Sequence, residues 1–328
     1  MGLSEIVGHE KQLETLRRSL LDGRLHHAYL FVGPDGIGKR TLAQALAQTI
    51  HCDEFESDFC GRCGVCRAIQ TGNHADVRVV EPLSNKKDIS IQQVRDLEKA
   101  LSLRSFSGRQ KLAIIDPATL MNWPAQNALL KTLEEPPQGC VLILIASNAG
   151  GLLPTVRSRA LALSFAPLPR QQMVSFLISS KGKTKEQAEF LAALTMGSLG
   201  AVSKFEKEKM NEKRLDWMKT LVSLRVGDYR AALNAAEALA GTREEALKFL
   251  EWAGLWYRDL LTFRVAHAQD RIVNLDMLPQ IEEQSAAIKD DDLFSLLSRT
   301  SEASRLIQRN INSRMVIEDL LLRAVERL

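Results

Sequence analysis

Between residues 28 and 165, five short runs of aliphatic and β-branched residues alternate with segments whose apolar residues recur at helical spacing. The runs are Ala28 to Val32, Val77 to Val80, Leu112 to Ile115, Val141 to Ala146 and Leu161 to Phe165. The helical segments are Glu10 to Leu21, Arg40 to Ile50, Ile91 to Leu101 and Asn122 to Leu133. A run that is apolar throughout buries both faces, and strands that recur only after a helix pair in parallel. The pattern predicts an α/β fold with a parallel five-stranded sheet, helices on both faces and ligands at the carboxyl ends of the strands.

After Phe165, Ala166-Pro167-Leu168-Pro169 reads as a linker, and no strand pattern follows it. Gln171 to Ser180, Thr184 to Thr195 and Ser198 to Lys209 predict a small helical unit. Leu215 to Leu224, Tyr229 to Leu239, Glu244 to His267, Asp290 to Gln308 and Ser313 to Leu328 predict a larger all-helical one. A length of 328 residues suits two or three domains, and the expected division is 1–166, 167–208 and 209–328. Leu250, Trp252, Leu255, Trp256 and Leu260 are expected in their own core, with a neighbouring chain as the other possible contact. The net charge of +3 is too small to argue for nucleic acid by itself. No window is apolar enough to span a membrane, and Met1 to Glu5 lacks a basic leader, so a cytoplasmic protein with no membrane partner is expected.

Gly33-Pro34-Asp35-Gly36-Ile37-Gly38-Lys39 follows the first strand directly. Glycines at these positions let backbone N–H groups point at phosphate oxygens, and the lysine reaches the outer phosphates. The next residue is Arg40, where the pattern needs a Ser or Thr hydroxyl for Mg²⁺. Thr41 is a poor substitute, because one helical step turns the side chain by about 100 degrees. The residues leave three readings open: a glycine turn that holds nothing, a loop that binds ATP or ADP without hydrolysis, and an intact hydrolytic site. Asp116 ends the third strand as a metal-side carboxylate would, but Pro117 follows where a general base is expected.

Four of the five cysteines fall within fifteen residues, Cys52, Cys60, Cys63 and Cys66, spaced C-x7-C-x2-C-x2-C. Four thiolates complete a tetrahedron around Zn²⁺ and leave no position for water, so a structural zinc module at 52–66 is predicted, with free thiols as the alternative. His51 and His74 flank the cluster and could replace a ligand, but four cysteines are enough and each histidine is expected to be an ordinary surface or packing residue.

Ile6-Val7-Gly8-His9-Glu10, the glycine loop, the cysteine module, the run Asn127-Ala128-Leu129-Leu130-Lys131-Thr132-Leu133-Glu134-Glu135-Pro136-Pro137 and the run Leu153-Pro154-Thr155-Val156-Arg157-Ser158-Arg159-Ala160 occur in that order. In this combination the chain resembles the δ′ family of bacterial DNA polymerase III clamp-loader subunits, which are AAA+ proteins. The resemblance covers essentially the whole chain and is strongest from 6 to 165. It implies an AAA+ domain at 1–166, a helical lid at 167–208 and a helical oligomerisation collar at 209–328. It implies assembly with motor (γ/τ) and δ subunits to load a sliding clamp onto primer-template DNA.

The resemblance also assigns Arg159, within Ser158-Arg159-Ala160, as an arginine finger for the ATP of a neighbouring subunit. A planar, permanently charged guanidinium suits that task. It places Asn148 at a first phosphate sensor and Ala201 where motor subunits carry a sensor arginine. Gly33, Gly36, Gly38, Lys39, Thr41, Asp116 and Asn148 would then form a degenerate nucleotide site. With Arg40, Pro117 and Ala201 removing a metal ligand, a base and a phosphate contact, the chain alone is not expected to hydrolyse ATP. Arg104, Arg109 and Lys111 offer DNA only a modest basic turn, usually a solvated face, with no interleaved aromatics. The alternatives are an ATP-hydrolysing motor subunit and a zinc-stapled DNA-binding protein with no clamp-loading role.

Overall fold

The computed structural model describes residue 3 and residues 6–54, 58–84, 86–207, 209–266 and 271–326. The strands are β1 (Ala28–Val32), β2 (Val77–Val80), β3 (Lys111–Ile115), β4 (Cys140–Ala146) and β5 (Leu161–Ser164). They form one sheet in the order β2-β3-β4-β1-β5 with every pairing parallel, as the strand and helix pattern predicts. The helices around this sheet are α1 (Glu10–Leu21), α2 (Lys39–His51), α3 (Gly64–Gln70), α4 (Ile91–Ser102), α5 (Trp123–Glu134) and α6 (Pro154–Arg157).

Successive strand residues point to opposite faces, and the two cores follow from that period. Tyr29, Phe31, Leu112, Ile114, Ile143 and Ile145 pack on one face with Leu16 of α1 and Leu42 and Leu46 of α2. Leu30, Ala113, Ile115, Leu142 and Leu144 pack on the other with Val94 and Leu97 of α4 and Leu129 and Leu133 of α5. Local signals set the helix starts. Ser90 and Gln93 form a capping box before α4, and Asn122 accepts from the Ala125 N–H before α5, which has Pro124 in its first turn.

The chain packs as two compact units, Met1–Gly182 with Met196–Ala201, and Lys183–Thr195 with Val202–Leu328. In the first, α7 (Arg170–Lys181) follows the sheet; α8 (Lys185–Leu194) belongs to the second, and α9 (Leu199–Lys207) begins in the first and ends in the second. The second unit continues with α10 (Met210–Ser223), α11 (Tyr229–Leu239), α12 (Arg243–Ala266), α13 (Leu278–Ala287), α14 (Asp290–Gln308) and α15 (Ser313–Val325). Position 208, His267 and Leu328, where predicted helices were extended, lie outside the described residues. Leu250, Trp252, Trp256 and Leu260 are buried in this unit's own core and Leu255 is half-buried; Trp252 stacks on Trp256 at 5.7 Å. Among the described residues no helix is long and apolar enough to cross a membrane.

A buried polar network runs through the second unit. Arg214 of α10, 1% exposed, donates to Asn274 Oδ1 at 2.7 Å and Asp276 Oδ1 at 3.0 Å, and its guanidinium lies 4.3 Å over the Phe190 ring of α8. Asp259 of α12, fully buried, accepts from the backbone N–H groups of Val273 (3.1 Å) and Asn274 (2.8 Å) and from the Asn274 side chain (2.7 Å). One guanidinium therefore ties α8 and α10 to the segment that follows α12. Removing it leaves half-exposed Asp276 without its guanidinium donor and Asn274 Oδ1 with only the Trp252 Nε1 donor at 3.3 Å. Arg214→Ala is expected to destabilise this unit by about 3 kcal/mol, read as a shift in its denaturant midpoint by the fluorescence of Trp217, Trp252 and Trp256.

Candidate functional site

The glycine loop leaves the carboxyl end of β1 and enters α2 through Gly38, which has φ 106° and forms the helix N-cap. Lys39 is 4% exposed and folds back on its own loop. Its ammonium donates to the Gly33 carbonyl and, at 2.6 Å, to the Pro34 carbonyl, with the Asp35 carboxylate 3.8 Å away. Burial lowers its pKa, opposed by Asp35 and Asp116.

Arg40 points across the carboxyl edge of the sheet. Its guanidinium donates to Glu81, beyond β2, and to Asp116 Oδ2 at 3.4 Å, beyond β3. Burial raises the Asp116 pKa, and Arg40 and Lys39 offset part of that rise. The carboxylate expected on the metal side is thus paired with a fixed cation from the position that lacks its hydroxyl. A guanidinium and a divalent ion compete for the same oxygens, so these residues do not fit Mg²⁺ as the intact pattern would.

The segment 197–201 lies directly against the loop. The Gly200 N–H donates to the Gly36 carbonyl at 2.8 Å and the Ser198 hydroxyl to the Asp35 carbonyl at 3.3 Å. A Cβ on Gly200 would come within 2.7 Å of the Gly36 Cα, so the two backbones touch only because both residues are glycine. Ala201 N–H donates to Ser198 Oγ at 3.2 Å. Thr41 is exposed on α2. Asn148 caps the short turn Ala149–Gly151, its Oδ1 accepting from the Gly151 N–H at 3.2 Å.

The second cluster joins α5 to the arginine segment. Gln126, 4% exposed, donates to the Met121 and Gly151 carbonyls and accepts from the Leu153 N–H at 2.8 Å. At the far end of the segment, Arg159 Nη2 is 2.7 Å from Glu134 Oε1, and Nη1 donates to the Thr155 carbonyl at 3.0 Å and Ser158 Oγ at 3.4 Å. Sequence reasoning did not single out Gln126 or Glu134, although Glu134 lies in the quoted L-E-E-P-P run; a pairing 25 positions apart carries no local signal.

The third cluster holds Cys52, Cys60, Cys63 and Cys66, whose Sγ atoms lie within 4.8 Å of one another. Sulfurs bound tetrahedrally to Zn²⁺ sit about 3.8 Å apart, so a small contraction would close them on an ion. Cys60 Sγ accepts from the N–H groups of Arg62 (3.4 Å) and Cys63 (3.2 Å), and Cys63 Sγ from that of Cys66 (3.4 Å). Burial pushes the Cys63 thiol up, but backbone bonds from Cys66 and Asp53 and the neighbouring Cys66 and Cys60 thiols bring it down to about 6. Burial pushes Cys52 and Cys66 up. The four thiols can hold a metal ion. His51 and His74 are not in the cluster; their rings pack together at 4.6 Å, and His51 lies 3.4 Å from Ser107.

The basic turn is corrected by the structure. Lys111 is 7% exposed and donates to the Ala100 carbonyl at the end of α4, at 2.6 Å. Arg109 donates to the Ile50 and Cys52 carbonyls at 3.2 and 2.9 Å. Buried Lys111 departs from the solvated face that was expected, while Arg109 and Arg104 remain exposed. Asp76 shapes this turn by accepting from the Phe106 and Ser107 N–H groups (2.9 and 2.8 Å) and two serine hydroxyls.

Residues 8–169 match the family described as "DNA polymerase III, delta subunit", and residues 208–326 match "DNA polymerase III, delta subunit, C terminal". DNA polymerase III subunit delta′ of Pseudomonas aeruginosa is 33% identical over 272 residues, 80% of this chain and 81% of that protein. The Escherichia coli subunit delta′ is 30% identical over 316 residues, 94% of this chain and 92% of that protein. DNA polymerase III subunit tau of Bacillus subtilis is 26% identical over 327 residues, 93% of this chain and 55% of that protein.

If the thiol cluster is a structural site, elemental analysis of the purified chain finds a thiophilic metal ion in about equimolar amount. Cys63→Ser is expected to lose it and to open the segment 52–66 to proteolysis, while the far-UV spectrum of the remaining fold is kept.

Proposed function

The chain belongs to the DNA polymerase III subunit delta′ family, and from that premise we propose that it is the stationary subunit of a clamp loader. In this reading it assembles in the cytoplasm with motor subunits of the tau/gamma type and a delta subunit. The assembly loads a sliding clamp on primer-template DNA. Residues 1–166 carry the interface to nucleotide, 167–208 act as lid and 209–328 as collar. The thiol cluster holds Zn²⁺ as a staple with no chemical step.

The observation that carries the non-hydrolysing role is the Arg40 contact with Asp116 and Glu81. It puts a permanent positive charge where hydrolysis needs a metal ion, while Lys39 is spent on its own loop carbonyls. Any ATP or ADP at Gly33, Gly36, Gly38, Lys39, Thr41, Asp116 and Asn148 would therefore bind weakly and without turnover. Arg159 is the group offered outward. Its side chain is 36% exposed, and a guanidinium brought in trans to a neighbour's ATP stabilises charge that develops on the transferred phosphoryl oxygens.

Two measurements test this. The increment in ATP turnover that the chain adds to its motor partners, with clamp and primed DNA present, is expected to fall roughly 10²-fold or more in Arg159→Ala while the assembly still forms. An unchanged increment rejects the arginine finger. In the isolated chain, Arg40→Thr restores the missing hydroxyl and frees Asp116, so calorimetric titration is expected to show Mg-ATP binding at least about 10-fold tighter than wild type. Equal affinity would mean that Arg40 does not keep the metal out.

A further inference from the structure

We propose that Glu134 is the positioning residue for Arg159, holding its guanidinium ready for a phosphoryl group on a neighbouring subunit. The inference rests on the reading of Arg159 given above. Glu134 is the last residue of α5, a place where a carboxylate opposes the negative end of the helix dipole. Across from it stands Arg159, at 2.7 Å.

The arginine segment is fastened to α5 at both ends. Buried Gln126 holds the Leu153 N–H at 2.8 Å, and Glu134 holds the arginine that ends the segment. Between them the segment makes the turn of α6, from which the Thr155 carbonyl accepts from Arg159 Nη1 at 3.0 Å. A guanidinium has five N–H donors, so these bonds fix its plane and leave donors for a ligand. A long flexible side chain loses much rotamer freedom when it docks, and ordering it beforehand removes that loss from the reacting complex. The Glu134 carboxylate is half-exposed, and solvent screens its repulsion of an incoming phosphate. Orientation therefore outweighs the unfavourable charge, and Glu134 helps where a buried carboxylate would hinder.

The test uses the assembled complex and the turnover increment contributed by this chain. Glu134→Ala is expected to lower the increment about 10-fold, the scale of groups that orient a reacting group through another. ATP affinity and the formation of the complex stay unchanged, which gives a kcat effect without a KM effect. Glu134→Gln, whose amide oxygen still accepts from Nη2, is expected to stay within about 2-fold of wild type. Adding Glu134→Ala to Arg159→Ala is expected to cost nothing further, because the two act as a unit. A full increment in Glu134→Ala beside a lost one in Arg159→Ala overturns the role of Glu134 and leaves the arginine finger standing. A raised increment also overturns it, since the contact would then be a restraint. A further loss in the double variant means that Glu134 acts elsewhere. An unaffected Arg159→Ala removes the reading on which the inference rests.

Discussion

The parallel pairing of β1 between β4 and β5 is the constraint on which the rest depends. Val32 lies opposite Ala146 on one side and Ser164 on the other, and Ile115 opposite Leu144 one strand further away. The glycine loop, Asp116 and Asn148 therefore leave a single edge of the sheet, although Asp116 lies 77 positions beyond Lys39. The pairing is held in register by burial on both faces. A slip of one residue would turn Tyr29 and Phe31 from the α1 and α2 side to the α4 and α5 side, where small residues such as Ala113 and Ala118 are packed. The same burial seats α5 on the sheet, and α5 in turn carries Gln126 and Glu134 to the arginine segment.

At that edge, the missing hydroxyl at position 40 is more than a loss. An alanine there would leave Asp116 and Glu81 as two carboxylates facing each other across the end of the sheet, a repulsion that a metal ion normally relieves. Arg40 relieves it with a charge that cannot dissociate. The edge is thus neutralised from within the chain, and the loop is closed from above by the Gly36–Gly200 backbone contact. A site arranged in this way holds its shape without ligand.

The sequence made the strands legible because each is a short apolar run with a helix before the next, and burial of both faces is written into every residue of β3 and all but the first of β4. The cysteine cluster was legible because its four thiols are near in sequence. The helix α13 was not read: only Ile281 and Ser285 of it are buried, too few to show a period, and Pro279 in its first turn resembles a break. Charged side chains were the least readable. Lys111 and Arg214 look like surface residues in the sequence, yet each is buried and spent on a carbonyl or carboxamide of another segment. Nothing local marks a cation as a cap for another element, whereas a buried Leu or Val announces itself by spacing.

The two functional clusters are mechanically separable. Arg40 acts through Glu81 and Asp116, at the ends of β2 and β3, and none of these touches the arginine segment through a hydrogen bond or ion pair found among the described residues. Arg159 takes its place from Gln126 and Glu134, which belong to a helix on one face of the sheet. The guanidinium at position 40 therefore changes the charge at the ends of β2 and β3 through bonds that do not involve Arg159. In the proposed reading this independence is what allows a subunit to lose turnover and still serve it: the sheet supports both clusters, but the bonds that define each do not pass through the other.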